Sequence, residues 1–279
     1  GYTGVREGTL PNASFRGING SWTKDHGRVD KFTESLAIVG GDMAVDPALV
    51  KMHGESTRSS QALMKAKAIA HKVAGTFIKG DQSTNPEEFD GLQVRCERYN
   101  RTEDAGTTSG GNPLSLLAFD KFLKKVPGAN ALVMHEDMCT LLSASLRNSS
   151  VSGWISETRN SYGTQLMTYK GIPILEVSGV RLPEDYLGFD EPAPVGGQAQ
   201  TTSIYAVRFG EGGVFGLENG SLEIRDLGES TGETPMLIDR AEWLVGMADE
   251  DIYSNRRQRG NTNAAVVARS RKESHIDRF

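Results

Sequence analysis

Residues 54–79 carry apolar side chains at helical spacing, with Ala62, Ala66, Ile69, Ala70, Val73 and Phe77 on one stripe and Arg58, Lys65, Lys67, Lys72 and Lys79 around the rest. At 1.5 Å per residue the helix spans roughly 35–40 Å. Ser56, Thr57, Ser59 and Ser60 are candidate N-caps. Gly80 is the expected C-cap. Gly75 costs about 1 kcal/mol relative to alanine, which burial of Phe77 offsets. Beyond Gly80, residues 81–86 are a cluster of turn formers. Phe89 and Leu92 then anchor the next turn in a core. The string 77–92 thus reads as a helix end, a polar turn and a new short element, and none of it is chemistry.

The residues ahead of the helix have little with which to build a core. Residues 1–13 are polar, with Gly1, Gly4, Gly8 and Pro11, and read as an extended arm held by partners. Residues 14–46 read as a long hairpin, with a first strand at 13–18 and a second through 32–39. The linker 19–28 is polar and poor in aromatics, so it cannot offset the entropy of ordering by its own contacts. A projecting two-stranded ribbon is unstable alone. It needs a neighbouring subunit to lie on.

Residues 93–112 begin polar and pass into a flexible connection at 103–112. Residues 113–179 read as an α/β unit. It has a helix at 113–125 with Pro113 in an early position, a buried strand at 131–134, a helix at 136–146, and at 166–177 either a strand pair turning at Lys170-Gly171 or one strand with a bulge. Residues 180–201 read as a surface loop. Short strands follow at 203–209, 213–217, 221–225 and 236–245, the last containing Trp243. From Arg256 the tail is basic and polar. Arg256, Arg257 and Arg259, with Arg269, Arg271 and Lys272, fit pairing with acidic neighbours across a subunit contact better than phosphate binding, because no aromatic platforms interleave after Tyr253.

A length of 279 residues supports one large domain or two smaller ones. The net charge of -5 argues against a protein that wraps nucleic acid tightly, without excluding a wall that faces it. Cys96 and Cys139 are the only cysteines and read as separate reduced thiols. No apolar run approaches membrane-spanning length. No secretory signal stands at the start. The chain begins Gly1-Tyr2 rather than Met, as it would after cleavage or omission of an N-terminal piece. The sequons at Asn12, Asn19, Asn100, Asn148 and Asn219 read as turns.

The sequence fits none of the common catalytic patterns. Gly210, Gly212, Gly213 and Gly216 lie between two strands, where a turn is the better reading than a phosphate loop. His135-Glu136 starts like a zinc helix, but the motif ends in Cys139. The five histidines are scattered, and a nucleophile elbow is absent. Adjacent carboxylates such as Glu87-Glu88 and Glu103-Asp104 read as solvated faces. The chain therefore reads as no enzyme, with no catalytic, cofactor-binding or metal residue to nominate and no cofactor.

The order of elements carries a resemblance. Arg16-Gly17-Ile18-Asn19, then Leu36 through Asp46, the helix 54–79, the turn with Gly80-Asp81 and Asn85-Pro86, Phe89-Asp90-Gly91-Leu92, an α/β unit and strands near Trp243 follow one another. This resembles the major capsid proteins of tailed double-stranded-DNA bacteriophages, which have the Hong Kong phage capsid fold. The resemblance implies an α+β chain: arm 1–13, extended β-hairpin loop 14–46, peripheral domain 47–112 with spine helix 54–79, axial domain 113–217, peripheral strands 218–252, and a C-terminal segment 253–279 returning toward the axial domain. It implies self-assembly as pentamers and hexamers into an icosahedral head around packaged DNA, bound without sequence specificity and without a membrane. Scaffold, portal and decoration proteins are the implied further partners, the virion the location, and the host bacterial cytoplasm the place of assembly. Some members of the family weld subunits by lysine–asparagine bonds. Here Lys24 and Lys31 sit in the loop and Asn255, Asn261 and Asn263 are the candidate partners, with no promoting glutamate placed, and ordinary solvated lysines are the preferred reading. The alternatives are an encapsulin-like nanocompartment shell, a hydrolase or transferase on the α/β unit, and a decoration or tail protein.

Overall fold

A computed structural model describes residues 1–145, 155–159, 165–177, 186–197, 200–230 and 234–264. Tyr2–Thr9 (β1) and Arg28–Glu34 (β2) form an antiparallel ribbon, with Tyr2 opposite Glu34, Gly4 opposite Phe32 and Arg6 opposite Asp30. The ribbon starts at Tyr2, not at residue 14. Residues 13–18, expected as its first strand, form no strand and stand exposed. The expected arm is largely the rising strand itself. The second expected strand divides at Ser35 and Leu36, and Ala37–Val45 (β3) joins a different sheet. Hydrophobic alternation does not reveal β1, because its inward side is Tyr2, Gly4 and Arg6. Gly4 makes room for aromatic rings: a Cβ there would stand 2.5 Å from the Phe32 ring.

Pro47–His53 (α1) is capped by Asp46, whose side chain accepts from the Ala48 amide. Ser56–Lys79 (α2) is the expected long helix. None of the four candidate caps serves it. The side chains of Ser56 and Ser59 donate instead to the carbonyls of His53 and Glu55. Gly80 ends the helix as expected, but in an extended conformation (φ -56°, ψ 139°) rather than a left-handed one. The following turn is held by Asp81, which accepts from the Ser83 amide and from the hydroxyls of Ser83 and Thr84. Those bonds hold the Asp81 carboxyl low, at about 2.

Leu92–Arg98 (α3) begins where two backbones cross. The Gly91 amide donates to the Gly80 carbonyl at 2.8 Å. A Cβ on Gly91 would lie 2.6 Å from the Thr76 carbonyl oxygen and 2.8 Å from the Gly80 nitrogen. Phe89 and Leu92 are buried beside it, as expected. Because the neighbours of Gly91 are backbone, Gly91→Ala is expected to lower the melting temperature by about 5 °C or more. Gly17→Ala, which meets nothing within 4 Å, should leave it unchanged. Differential scanning calorimetry of the two variants checks this, and equal melting would contradict it.

Thr102–Asp104 (β4), Leu116–Leu123 (α4), Ala131–His135 (β5) and Glu136–Ser145 (α5) follow. Then come the strands Ile155–Arg159 (β6), Gln165–Tyr169 (β7), Ile172–Val177 (β8), Thr202–Val207 (β9), Val214–Glu218 (β10), Glu223–Glu229 (β11), Leu237–Asp249 (β12) and Asn255–Asn261 (β13). A seven-stranded sheet runs β4-β13-β9-β5-β8-β7-β6. In a four-stranded sheet, β12 serves β3 on one edge and both β10 and β11 on the other, because Val245 pairs with Ala37 and Glu218 together.

Three local expectations change. Helix α4 starts at Leu116, capped by Ser115, and Pro113 precedes it. The stretch 103–112 is not a free connection: β4 pairs in parallel with β13, and the Asn112 amide donates to the Gly260 carbonyl. The start of the basic tail is β13, a mostly buried strand inside the sheet. Residues 265–279 of the tail, including Arg269, Arg271 and Lys272, lie outside the described residues, as does Asn148.

The core has two main parts. Phe119 and Phe122 of α4 and Met138 and Leu142 of α5 pack with Tyr169 of β7 on one face of the seven-stranded sheet. A second cluster joins Ile78, Phe89, Leu92 and Cys96 to Tyr205 and Val207 of that sheet and to Val245 and Met247 of the other. Burial of these side chains at about 25 cal/mol per Å² fixes the two sheets to each other.

Candidate assembly surface

The ribbon is seated for part of its length and free beyond. On the inward side, Tyr2 Oη donates to Glu250 Oε1 at 2.9 Å, and its ring meets Phe215 edge-on at 5.6 Å. Arg6 donates to Tyr99 Oη at 2.8 Å and lies over the Phe32 ring. Glu34 is gripped by Arg95. From Glu7 to Val29 every residue is exposed. Within residues 10–27 the contacts are internal: the Asn12 amide to Asp25 at 2.8 Å, Arg16 to the Gly20 carbonyl at 3.2 Å, and Arg16 over Trp22. Among the described residues, no hydrogen bond from this segment reaches the body.

This free segment carries large apolar side chains: Leu10 is 74% exposed, Phe15 106% and Ile18 97%. Water is a poor solvent for them, and a covered position is favoured. Leu49 and Met52 of α1 with Leu63 and Met64 of α2 add further exposed apolar surface.

The residues singled out for chemistry take structural places. Arg256 pairs with Glu103, Arg257 with Glu191 and Glu97, and Arg259 with Asp104, all within one chain, so the expected pairing across a subunit contact is corrected. Asn255 and Asn261 are fully buried, and Asn255 donates to Asp249 while accepting from Cys96 Sγ. Neither is open to a lysine of another chain. Asn263 is exposed and donates to Asp137 at 3.2 Å. Lys24 and Lys31 are exposed on the free segment and the ribbon. His135 Nδ1 accepts from the Asp137 amide and so caps α5. Gly210 and Gly212 turn the chain with positive φ between β9 and β10, and Asn19 and Asn100 do so elsewhere. Among the described residues, no group of three or more His, Cys, Asp or Glu could hold a metal ion. No described helix is long and apolar enough to cross a membrane.

Both cysteines are free and buried. Burial pushes the Cys96 thiol up to about 12, and it raises Cys139 as well. At pH 8 neither forms appreciable thiolate. A disulfide-exchange reagent is therefore expected to label no thiol in the folded protein and both in denaturant. Labelling of the folded chain within minutes would contradict this.

Comparison with known proteins agrees with this architecture. Residues 2–112 match the family model described as major capsid protein GP7. No curated protein sequence matches. Among solved structures, the SrpI encapsulin complex of Synechococcus elongatus PCC 7942 is similar over 96% of this chain and 85% of that one, with 11% identity and a TM-score of 0.65. The capsid of an empty GTA particle is similar over 94% and 84%, with 14% identity and a TM-score of 0.60. A Mycobacterium phage Bobi structure is similar over 96% and 85%, with 14% identity and a TM-score of 0.58. The chain has the Hong Kong phage capsid fold, and its resemblance to phage major capsid proteins is borne out.

Proposed function

We propose that this chain is the subunit of an icosahedral phage head and acts by assembly rather than catalysis. The observation that carries the reading is the free segment 10–27, which bears Leu10, Phe15 and Ile18 in water on a ribbon with no core of its own. Copies of the same chain would cover it. Contacts of this head-to-tail kind close into rings, here pentamers and hexamers. Many small interfaces then sum to a stable shell. In this reading β1 and β2 with residues 10–27 are the extended loop, α2 the spine, the four-stranded sheet the peripheral domain and the seven-stranded sheet with α4 and α5 the axial domain. The net charge of -5 suits a wall that faces packaged double-stranded DNA without gripping it. Scaffold, portal and decoration proteins would be further partners, and the virion assembled in a bacterial host the setting.

The second reading is a nanocompartment shell, favoured by the likeness to the encapsulin. The match of residues 2–112 to a capsid family favours the phage head. Electron microscopy of particles from expressing cells, followed by nuclease digestion, tests both. Closed particles holding nuclease-protected DNA are expected. Closed particles filled with protein would overturn the phage reading, and a monomer that turns over a substrate would overturn both.

A further inference from the structure

Both strands of the ribbon are fastened to the body at its root rung, and Arg6 makes a further hold on Tyr99 from the β1 strand. Tyr2 and Glu34 stand opposite each other at the open end of the ladder. Tyr2 reaches Glu250, just past the end of β12. Glu34 Oε1 and Oε2 accept from Arg95 Nη1 and Nη2 at 2.7 and 2.9 Å. The same guanidinium donates from Nη2 to the Met247 carbonyl at 2.8 Å and from Nε to the Asp90 carbonyl at 3.0 Å. Arg95 is 1% exposed. One side chain thus ties the end of β2, the C-terminal part of β12 and the 81–90 turn together. Beyond Glu34, only Ser35 and Leu36 separate the ribbon from β3 in the other sheet.

We infer that the Arg95–Glu34 pair is the positional lock of the ribbon, fixing the angle at which segment 10–27 leaves the body. Its consequence for assembly rests on the shell reading; its geometry does not. A guanidinium fork that holds both oxygens of one carboxylate fixes a direction as well as a distance, which a lysine ammonium cannot. The lever is long. At about 3.3 Å per residue, Arg28 lies about 20 Å from Glu34, so a 10° swing at the root moves the far end by about 3–4 Å. That is the width of one side-chain contact, enough to put apolar residues out of register with a neighbouring copy. Tyr2 on the opposite strand resists rotation about the same rung.

Hydrogen exchange on the soluble full chain tests the lock. Glu34→Gln keeps one acceptor oxygen and removes the charge. It is expected to speed exchange of the amides in residues 2–7 and 29–34 by about tenfold while leaving α2 and β5 unchanged. Tyr2→Phe should raise the same amides by less. Should Glu34→Gln fail to fold, Arg95→Lys carries the same test with the charge retained. Unchanged ribbon exchange, or a rise spread equally over α2 and β5, overturns the lock. Particle yield is counted alongside and is expected to fall at least about fivefold in Glu34→Gln. A loosened ribbon with full particle yield overturns the link to assembly. Failure of the unaltered chain to form particles would sink the shell reading and leave the exchange result standing.

Discussion

A chain lacking residues 12–26 is expected to fold normally and to close no shells. The stability half of this follows from the contacts. Among the described residues, segment 10–27 bonds only to itself, through Asp25, Gly20 and the Arg16–Trp22 contact, and these bonds leave with it. The last paired rung of the ribbon joins Thr9 to Arg28, and the remaining Leu10, Pro11 and Gly27 are enough for a turn between them. The melting temperature is expected to stay within about 2 °C, because exposed segments contribute little to global stability. The assembly half follows from burial. Deleting Phe15, Ile18 and Trp22 removes the apolar surface that a neighbouring copy would cover, and a shell needs every such interface at once. Closed particles counted by electron microscopy should fall by about a hundredfold or more, with soluble subunits or small rings in their place. Normal shells from this deletion would refute the role of the segment. A chain that unfolds would refute its independence from the body.

The largest expected loss of stability is at Arg257. This residue is 4% exposed, and Glu191 beside it is 7% exposed. Arg257 donates to Glu191 Oε2 at 2.9 Å, to Glu97 Oε1 at 2.5 Å and to Ser203 Oγ at 2.8 Å. Arg257→Met keeps much of the volume but leaves the Glu191 carboxylate buried without its cation. Breaking a buried pair from one side costs about 3–5 kcal/mol, or roughly 10 °C in melting temperature for a chain of this size. The double change Arg257→Met, Glu191→Gln should recover part of the loss, since the stranded charge is gone. Arg259→Met is the control. Arg259 and Asp104 are about equally exposed, at 41% and 42%, and such a surface pair contributes little. Calorimetry of the three variants is the check. An Arg257→Met chain as stable as the Arg259→Met chain would show that the network is not structural.

The sequence was legible where local pattern and tertiary place coincide. Helix α2 has its apolar stripe, Gly80 its break, and β7 and β8 turn at Lys170 and Gly171, both with positive φ. Strands β9 to β12 alternate with turn residues and lie near the positions the sequence predicts. Strands β1 and β13 were not legible as strands, because long-range polar pairing, not apolar alternation, holds them. β13 reads Asn-Arg-Arg-Gln-Arg-Gly-Asn, the composition of a solvated tail. It is buried because Glu97, Glu103, Asp104 and Glu191, remote in sequence, converge on it. The same holds for the root of the ribbon. Nothing around Arg95 marks it as a fully buried arginine, since Glu34 and Met247 come to it from far along the chain. The free segment, by contrast, is legible as a stretch without a core, although its flanking strands lie upstream of where the sequence predicts them.

The claim beneath all of this is that residues 10–27 become ordered only between copies of the chain. Hydrogen exchange of that segment, compared between dissociated subunits and assembled particles, tests it most directly. The expected result is exchange near the rate of an unstructured peptide in the subunit and at least about a hundredfold slowing in the particle. Strong protection of residues 10–27 in a dilute single chain would contradict it.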